Sequence, residues 1–197
     1  MGVFFNSKLH FSTYISQIVT KAKQRIYLLF KSFSSSTANA LILAYKTYIL
    51  PIVEYCSPVW SPCLVTDVLA VESVQRLFTR RLKPCLNLNY NERLTFCGLV
   101  SLERRRLIAD LVLIYKIIHK LVDIHLDNSL TFCSGPTRGH SYKLEYKGAR
   151  INSRLHFFTV RSIKVWNSLP DLFVTSDSLA VFRNSLNYID FTRFLLI

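Results

Sequence analysis

Four of the eight residues from Arg76 to Lys83 are basic and none is acidic. At about 100° per helical residue, Arg76, Arg80 and Lys83 fall within about 60° of one another, while Val71, Val74, Phe78 and Leu82 gather on the opposite side. Such a helix packs one face and offers the other, with Arg81 beside it, to phosphate oxygens; a merely solvated charged face is the alternative. Arg104, Arg105 and Arg106 stand at the start of a second helical pattern, where the macrodipole disfavours cations and Glu103 and Asp110 offset part of that cost. Cations set against a dipole point to an external anion, and a nucleic-acid backbone would supply one. A second basic region begins at Thr137-Arg138-Gly139-His140-Ser141 and continues through Lys143, Lys147, Arg150, Arg154, Arg161 and Lys164, opposed only by Glu145. Arg138 and His140 are its candidate contacts, and its tyrosines could stack on bases or simply decorate an exposed hairpin.

Signatures of catalysis are sparse. No two acidic residues are adjacent, so the paired aspartates of a two-metal nucleotidyl-transfer centre are not visible. The sequence has no glycine-rich phosphate loop, no Gly-x-Ser-x-Gly elbow and no His-Glu-x-x-His. The spacings of Cys56, Cys63, Cys85, Cys97, Cys133 and His140 do not match a zinc site, and no cofactor is expected. Trp60 and Trp166, in proline-flanked loops, read as hydrophobic plugs rather than stacking platforms.

The 197 residues suffice for one medium domain or two small ones, and 25 Lys and Arg against 12 Asp and Glu give +13. A polyanion is the partner this charge suits best, nucleic acid before an anionic membrane surface. Residues 1–53 hold six cations and no acid. With half of its residues apolar the chain is built to fold, yet each long apolar stretch is interrupted by charge or proline, so no transmembrane helix is expected. Five cysteines in apolar surroundings suit buried thiols in a reducing compartment, cytoplasm or nucleus, and the N-terminal residues carry no export or lipid signal.

Those residues must be positioned by helices. Apolar residues from Ile15 to Phe33 step by three and four, predicting a long amphipathic helix with Ser12 as its N-cap. Thr37 to about Tyr55 predicts a buried helix broken near Pro51, and Thr66 or Asp67 to Leu82 a third helix stopped by Pro84. Asn89 with Glu92 predicts a capping box for a short helix closed by Gly98, and Ser101 caps a long helix reaching about Leu121. Past Asp123 the residues Asp127 to Gly139 predict a loop, and Tyr142 to Tyr146 alternate as a strand of a hairpin turning near Gly148. Arg154–Trp166 and Ser178–Ile189 predict two last helices. The expected fold is mainly α: a multi-helix bundle over 1–124, then a C-terminal extension over 125–197 with a short hairpin and two helices.

Several strings, in one order over about residues 2 to 188, resemble the C-terminal part of the reverse transcriptase of non-LTR retrotransposons, the jockey-type RNA-directed DNA polymerase from mobile element. They include Tyr45-Lys46 leading to Pro51-Ile52-Val53-Glu54-Tyr55-Cys56-Ser57-Pro58-Val59-Trp60, Glu72-Ser73-Val74-Gln75-Arg76, Phe78-Thr79-Arg80-Arg81-Leu82 and Tyr90 with Glu92-Arg93-Leu94. Ser101-Leu102-Glu103, Arg105-Arg106, Asp110-Leu111, Tyr115-Lys116, Thr137 to Ser141, Phe157-Phe158 with Arg161, and Trp166-Asn167-Ser168-Leu169-Pro170 complete the series.

The resemblance implies a thumb-like bundle that follows a polymerase palm and grips the template–primer duplex. It implies RNA or an RNA–DNA hybrid as partner. The Tyr-x-Asp-Asp motif of such polymerases has no counterpart here, so the expectation is a non-catalytic, truncated fragment with no metal site. A second expectation, from a different class, is a protein-interaction or oligomerisation module, in which apolar faces of Ser12–Phe33 and Thr37–Tyr55, uncovered where a palm is missing, dock a palm elsewhere or another copy.

Overall fold

The structure, a computed structural model, describes residues 2–5, 10–33, 37–124, 130–134 and 139–197. Its elements are α1 (Ser12–Ser32), α2 (Ala38–Tyr48), α3 (Leu50–Glu54), α4 (Ser57–Trp60), α5 (Val65–Arg80), α6 (Tyr90–Cys97), α7 (Leu102–Ile118), α8 (Asn152–Leu155), α9 (Phe158–Arg161), α10 (Ile163–Trp166), α11 (Asp171–Val174) and α12 (Leu179–Ser185). The fold is mainly helical; among the described residues the only β pairing is one antiparallel bridge, Phe132 to Leu144. None of these helices is long and apolar enough to cross a membrane, and no three His, Cys, Asp or Glu of the described residues gather as a metal site. The chain divides into two compact units, 1–105 with 196–197, and 106–195. The division falls inside α7, earlier than the expected boundary at 124, because the apolar residues of α7 from Leu107 onward pack with C-terminal residues while Leu102 packs with N-terminal ones.

In the first unit α1 and α5 lie side by side and parallel. Ser12 Oγ donates to Asp67 Oδ2 (2.7 Å) at one end, and the rings of Phe30 and Phe78 meet at 5.8 Å near the other. Ser12 therefore opens α1 as its first helical residue, with Phe11 at the cap, instead of capping it. Ile15, Ala22, Ile26, Val71, Val74 and Phe78 are fully buried between the helices. Thr37 caps α2, and the break falls at Ile49, two residues before Pro51, which then occupies the first turn of α3, where its missing N–H costs nothing. The Asn89–Glu92 capping box is present, and Gly98 closes α6 in the left-handed region at φ 56°. Trp60 is a plug with no exposure, its Nε1 donating to the Tyr55 carbonyl (2.6 Å).

In the second unit α7 packs against short helical turns. α7 ends at Ile118, three residues before the expected Leu121, and Lys120 follows at φ 55°. The strand-like residues pair backwards: Cys133 N–H donates to Lys143 O (3.0 Å) and Glu145 N–H to Thr131 O (2.8 Å), so the pairing partner precedes His140, and among the described residues no β pairing crosses Gly148. The expected helix Arg154–Trp166 is three single turns, α8 to α10, parted at His156-Phe157 and at Ser162. Asp171–Val174 adds a helical turn that periodicity does not announce. Ser178 caps the last helix through Val181 N–H (3.3 Å), and that helix tightens to a 3-10 turn after Ser185.

Candidate nucleic-acid interface

Arg76, Arg80, Arg81 and Lys83 are all exposed, at the C-terminal end of α5 and the 3-10 turn that follows it. Because α1 runs parallel to α5, its last turn with Lys31 lies at the same end, so the negative dipole ends of two helices meet under one group of cations. Two of the guanidiniums lie over rings. Arg76 sits over Tyr90 (4.7 Å to the centroid), and Arg81 lies over both Tyr27 and Phe30 of α1 (4.8 Å each). Ring stacking fixes a guanidinium while leaving its N–H fork unspent, and a fork so held matches the edge of a phosphate. Arg93, not among the residues that charge clustering singles out, shares the Tyr90 ring at 5.6 Å. Its donors go inward, Nε to Thr79 Oγ1 (3.2 Å) and Nη1 to Leu88 O (2.8 Å).

The face of α5 is less divided than its apolar pattern predicts, because Glu72, Gln75 and Thr79 are fully buried. Gln75 accepts from Tyr45 Oη (3.3 Å) and donates to Tyr90 Oη (3.3 Å) and Val100 O (2.9 Å). Tyr90 Oη donates in a short bond to Glu72, whose other oxygen accepts the backbone N–H of Leu102 (2.9 Å). Burial, then the Glu72 charge, raises the Tyr90 hydroxyl far above the ordinary tyrosine value, keeping it a neutral donor.

That network changes the reading of Arg104–Arg106. The start of α7 already has its anion: Glu72 takes the first backbone N–H, and Ser101 Oγ accepts from Arg104 N–H (3.2 Å). Arg105 forms a two-pronged ion pair with Glu54, and that bond raises its pKa further against the lowering effect of burial. Arg106 is 2% exposed, and burial raises the pKa of Asp110 while the charges of Arg161 and Arg106 oppose that rise. Arg104 is half-buried. Arg105 and Arg106 thus serve internal carboxylates and do not present a run of cations to a ligand; the sequence shows the charges but not partners such as Glu54, 51 residues away.

In the second basic region His140 and Arg161 are turned inward, while Lys147, Arg150, Arg154 and Lys164 are exposed. His140 is buried; its Nε2 donates to Trp166 O (3.0 Å), its ring meets Trp166 edge-on, and burial first of all lowers its pKa, so it is a neutral core residue and not a phosphate contact. Arg161 is bound to Asp110 by Nε (2.8 Å) and Nη2 (3.0 Å). Lys147 pairs with Glu145 (3.4 Å) and Lys164 lies over the Tyr146 ring (4.8 Å). Arg138 lies outside the described residues, as do 125–129 and 135–137 of the predicted loop.

All five thiols are free; Cys56 and Cys63 are exposed, against the expectation of burial, while Cys85 and Cys97 are buried. Burial, with the neighbouring Cys85, pushes the Cys97 thiol up to about 12, which makes it inert at neutral pH. The chain matches no protein-family model, no curated protein and no solved structure.

Proposed function

We propose that the chain is a thumb-like region of a non-LTR retrotransposon type of reverse transcriptase, without catalytic chemistry of its own, holding template–primer nucleic acid through Arg76, Arg80, Arg81 and Lys83. The observation that carries this reading is the cluster of four exposed cations, two of them stacked on rings, where α1 and α5 end together. The net charge of +13 supplies the long-range attraction such a grip needs. The family strings support it by what they build: Tyr45, Glu72, Gln75 and Tyr90 form the buried network beneath the cations.

The competing physical account is that these cations only complement two helix dipoles. Binding of the chain to a labelled RNA–DNA hybrid across a salt series separates the two. In the triple variant Arg76→Gln, Arg80→Gln, Lys83→Gln the slope of log K against log salt should flatten by up to ~3 units if each contacts a phosphate. An unchanged slope removes them from the interface, and unaltered folding by circular dichroism makes either result interpretable.

A further inference from the structure

The C-terminal half of α1 and the break between α2 and α3 enclose an open groove of about 580 Å3 within the first unit. Ile49, at φ −107° and ψ −49°, ends α2, and Pro51 restarts the helix, so the chain steps sideways beside α1. Leu29, Ile49 and Ile52 are buried and form the floor, while Leu28, Phe33, Tyr48 and Tyr55 stand exposed along the rim, Leu28 at 54% and Tyr48 at 65%. Lys21 and Arg25, one helical turn apart and both exposed, mark one end of the groove. No acid lines it, neither cation is ion-paired among the described residues, and Glu54, the acid nearest in sequence, is held by Arg105.

We propose that this groove docks an amphipathic helical segment of a protein partner that carries apolar anchors flanked by carboxylates. The buried floor is aliphatic, Leu29, Ile49 and Ile52 beside Pro51, and suits the apolar anchors of a peptide, while the rings of Phe33, Tyr48 and Tyr55 stand on the rim. From Lys21 to Phe33 the wall is roughly 18 Å long at 1.5 Å per residue, about three turns, enough to seat anchors spaced i, i+3 or i+4, and i+7. A second copy is disfavoured by charge. No acid lines the groove, so isologous pairing through this face would bring no carboxylate to Lys21 and Arg25, on a chain of net charge +13. Two carboxylates on the partner match the pair instead, and give the groove polarity as well as affinity. The groove shares no cation with the α5 cluster, so the two sites can fail separately.

The test titrates the full chain into two labelled helical peptides with the same leucine anchors, one flanked by glutamates and one by lysines, read by fluorescence anisotropy. The glutamate peptide should bind at least ~10-fold tighter, and Lys21→Glu with Arg25→Glu should invert that order. Leu28→Ser, at an exposed position that does not endanger folding, should weaken the glutamate peptide. The triple variant of Arg76, Arg80 and Lys83 should bind it as the unsubstituted chain does. Equal affinity for both peptides, or indifference to the double charge reversal, overturns the proposal. Displacement of the peptide by single-stranded RNA whose own binding is lost in Lys21→Glu, Arg25→Glu would overturn it in favour of nucleic acid. A concentration-dependent mass in light scattering that disappears in Leu28→Ser would overturn it in favour of self-association.

Discussion

In the first unit the core is carried by long helices, α1 of 21 residues and α5 of 16, whereas after α7 the second unit is assembled from helical pieces of four to seven residues. A helix of four residues lies well below the length at which nucleation is recovered in water, so α8 to α11 exist only because something outside them holds their ends. Apolar packing of Phe158, Ile163, Val165, Trp166 and Val174 is one part of that hold, and the other is polar and specific. Asp110 takes two bonds from Arg161 and one from Ser162 Oγ (3.3 Å), Tyr115 Oη donates to Ser176 O (2.6 Å), and His119 Nε2 to Val174 O (3.0 Å). The Asn167 amide pairs with both backbone groups of Leu144, at 2.9 and 2.8 Å, and Trp166 Nε1 reaches Tyr142 O (2.8 Å). Where periodic apolar faces are long, packing defines the structure; where they are short, side chains bonded across long sequence separations join packing in defining it.

The strongest way to break this comparison is at Asp110. Asp110→Ala leaves Arg161 beside a 106–195 core with no carboxylate to meet it, and should cost ~3 kcal/mol in urea unfolding, the range for removing one partner of a buried pair. Phe78→Ala in the first unit, where the ring is fully buried and stacked on Tyr45 at 4.1 Å, is the apolar counterpart at ~3–5 kcal/mol. If Asp110→Ala costs less than ~1 kcal/mol, the short turns are not held by that clasp and the contrast between the units fails.

How much was legible follows the same line. The span of α1, the Asn89–Glu92 capping box, Gly98 and the Ser101 cap were readable because each rests on residues within four positions of one another. Arg104–Arg106 misled because the dipole argument is local, while their anions come from Glu54, Glu72 and the buried flank of α7. The run Arg154–Trp166 has helical spacing, yet Arg161 and Ser162 are drawn to Asp110, and Ser162 is where α9 ends. His140 looks cationic in a string of basic residues and is neutral once Trp166 covers it. Arg76, Arg80, Arg81 and Lys83 survived as exposed cations, but the rings under Arg76 and Arg81 come from α6 and α1 and could not be seen in the spacing of α5.

Smaller changes sharpen the contrast by asking whether a lost bond acts locally or through the whole unit. Asn167→Ala strips both backbone groups of Leu144 and should cost ~2 kcal/mol, with faster amide exchange at Cys133, Leu144 and Glu145. Tyr90→Phe removes a donor to Glu72, but Glu72 keeps the Leu102 N–H and Gln75 keeps Tyr45 and Val100, so a smaller loss, ~1 kcal/mol, is expected. Exchange that accelerates evenly through the first unit in Tyr90→Phe would show its network to be the brace of that unit, and would make the two halves more alike than their helix lengths suggest.

The smallest effect is a dependence on pH, and its sign is fixed by His140. Burial lowers the pKa of this ring below the ordinary histidine value of about 6.5, outweighing the Trp166 carbonyl bond, which raises it; Lys143 lowers it further and Asp171 opposes. Since a carbonyl only accepts, Nε2 holds the proton, and protonating Nδ1, which is buried and meets no partner among the described residues, would add an unsatisfied charged donor. Between the folded and the ordinary pKa the unfolded chain binds more protons than the folded one. Stability contributed by the neutral ring is therefore full above the ordinary value and is lost as pH falls toward the folded one. Asp110, its pKa raised by burial against the pull of Arg161, acts in the opposite direction, losing stability as pH rises from the ordinary carboxylate range. The informative measurement is accordingly a difference: urea midpoints from pH 7.5 down to 5 for the unsubstituted chain and for His140→Gln, which keeps an N–H for Trp166 and cannot titrate. A shallower decline in the variant assigns the slope to His140, and parallel curves would mean that the ring already reaches water when folded.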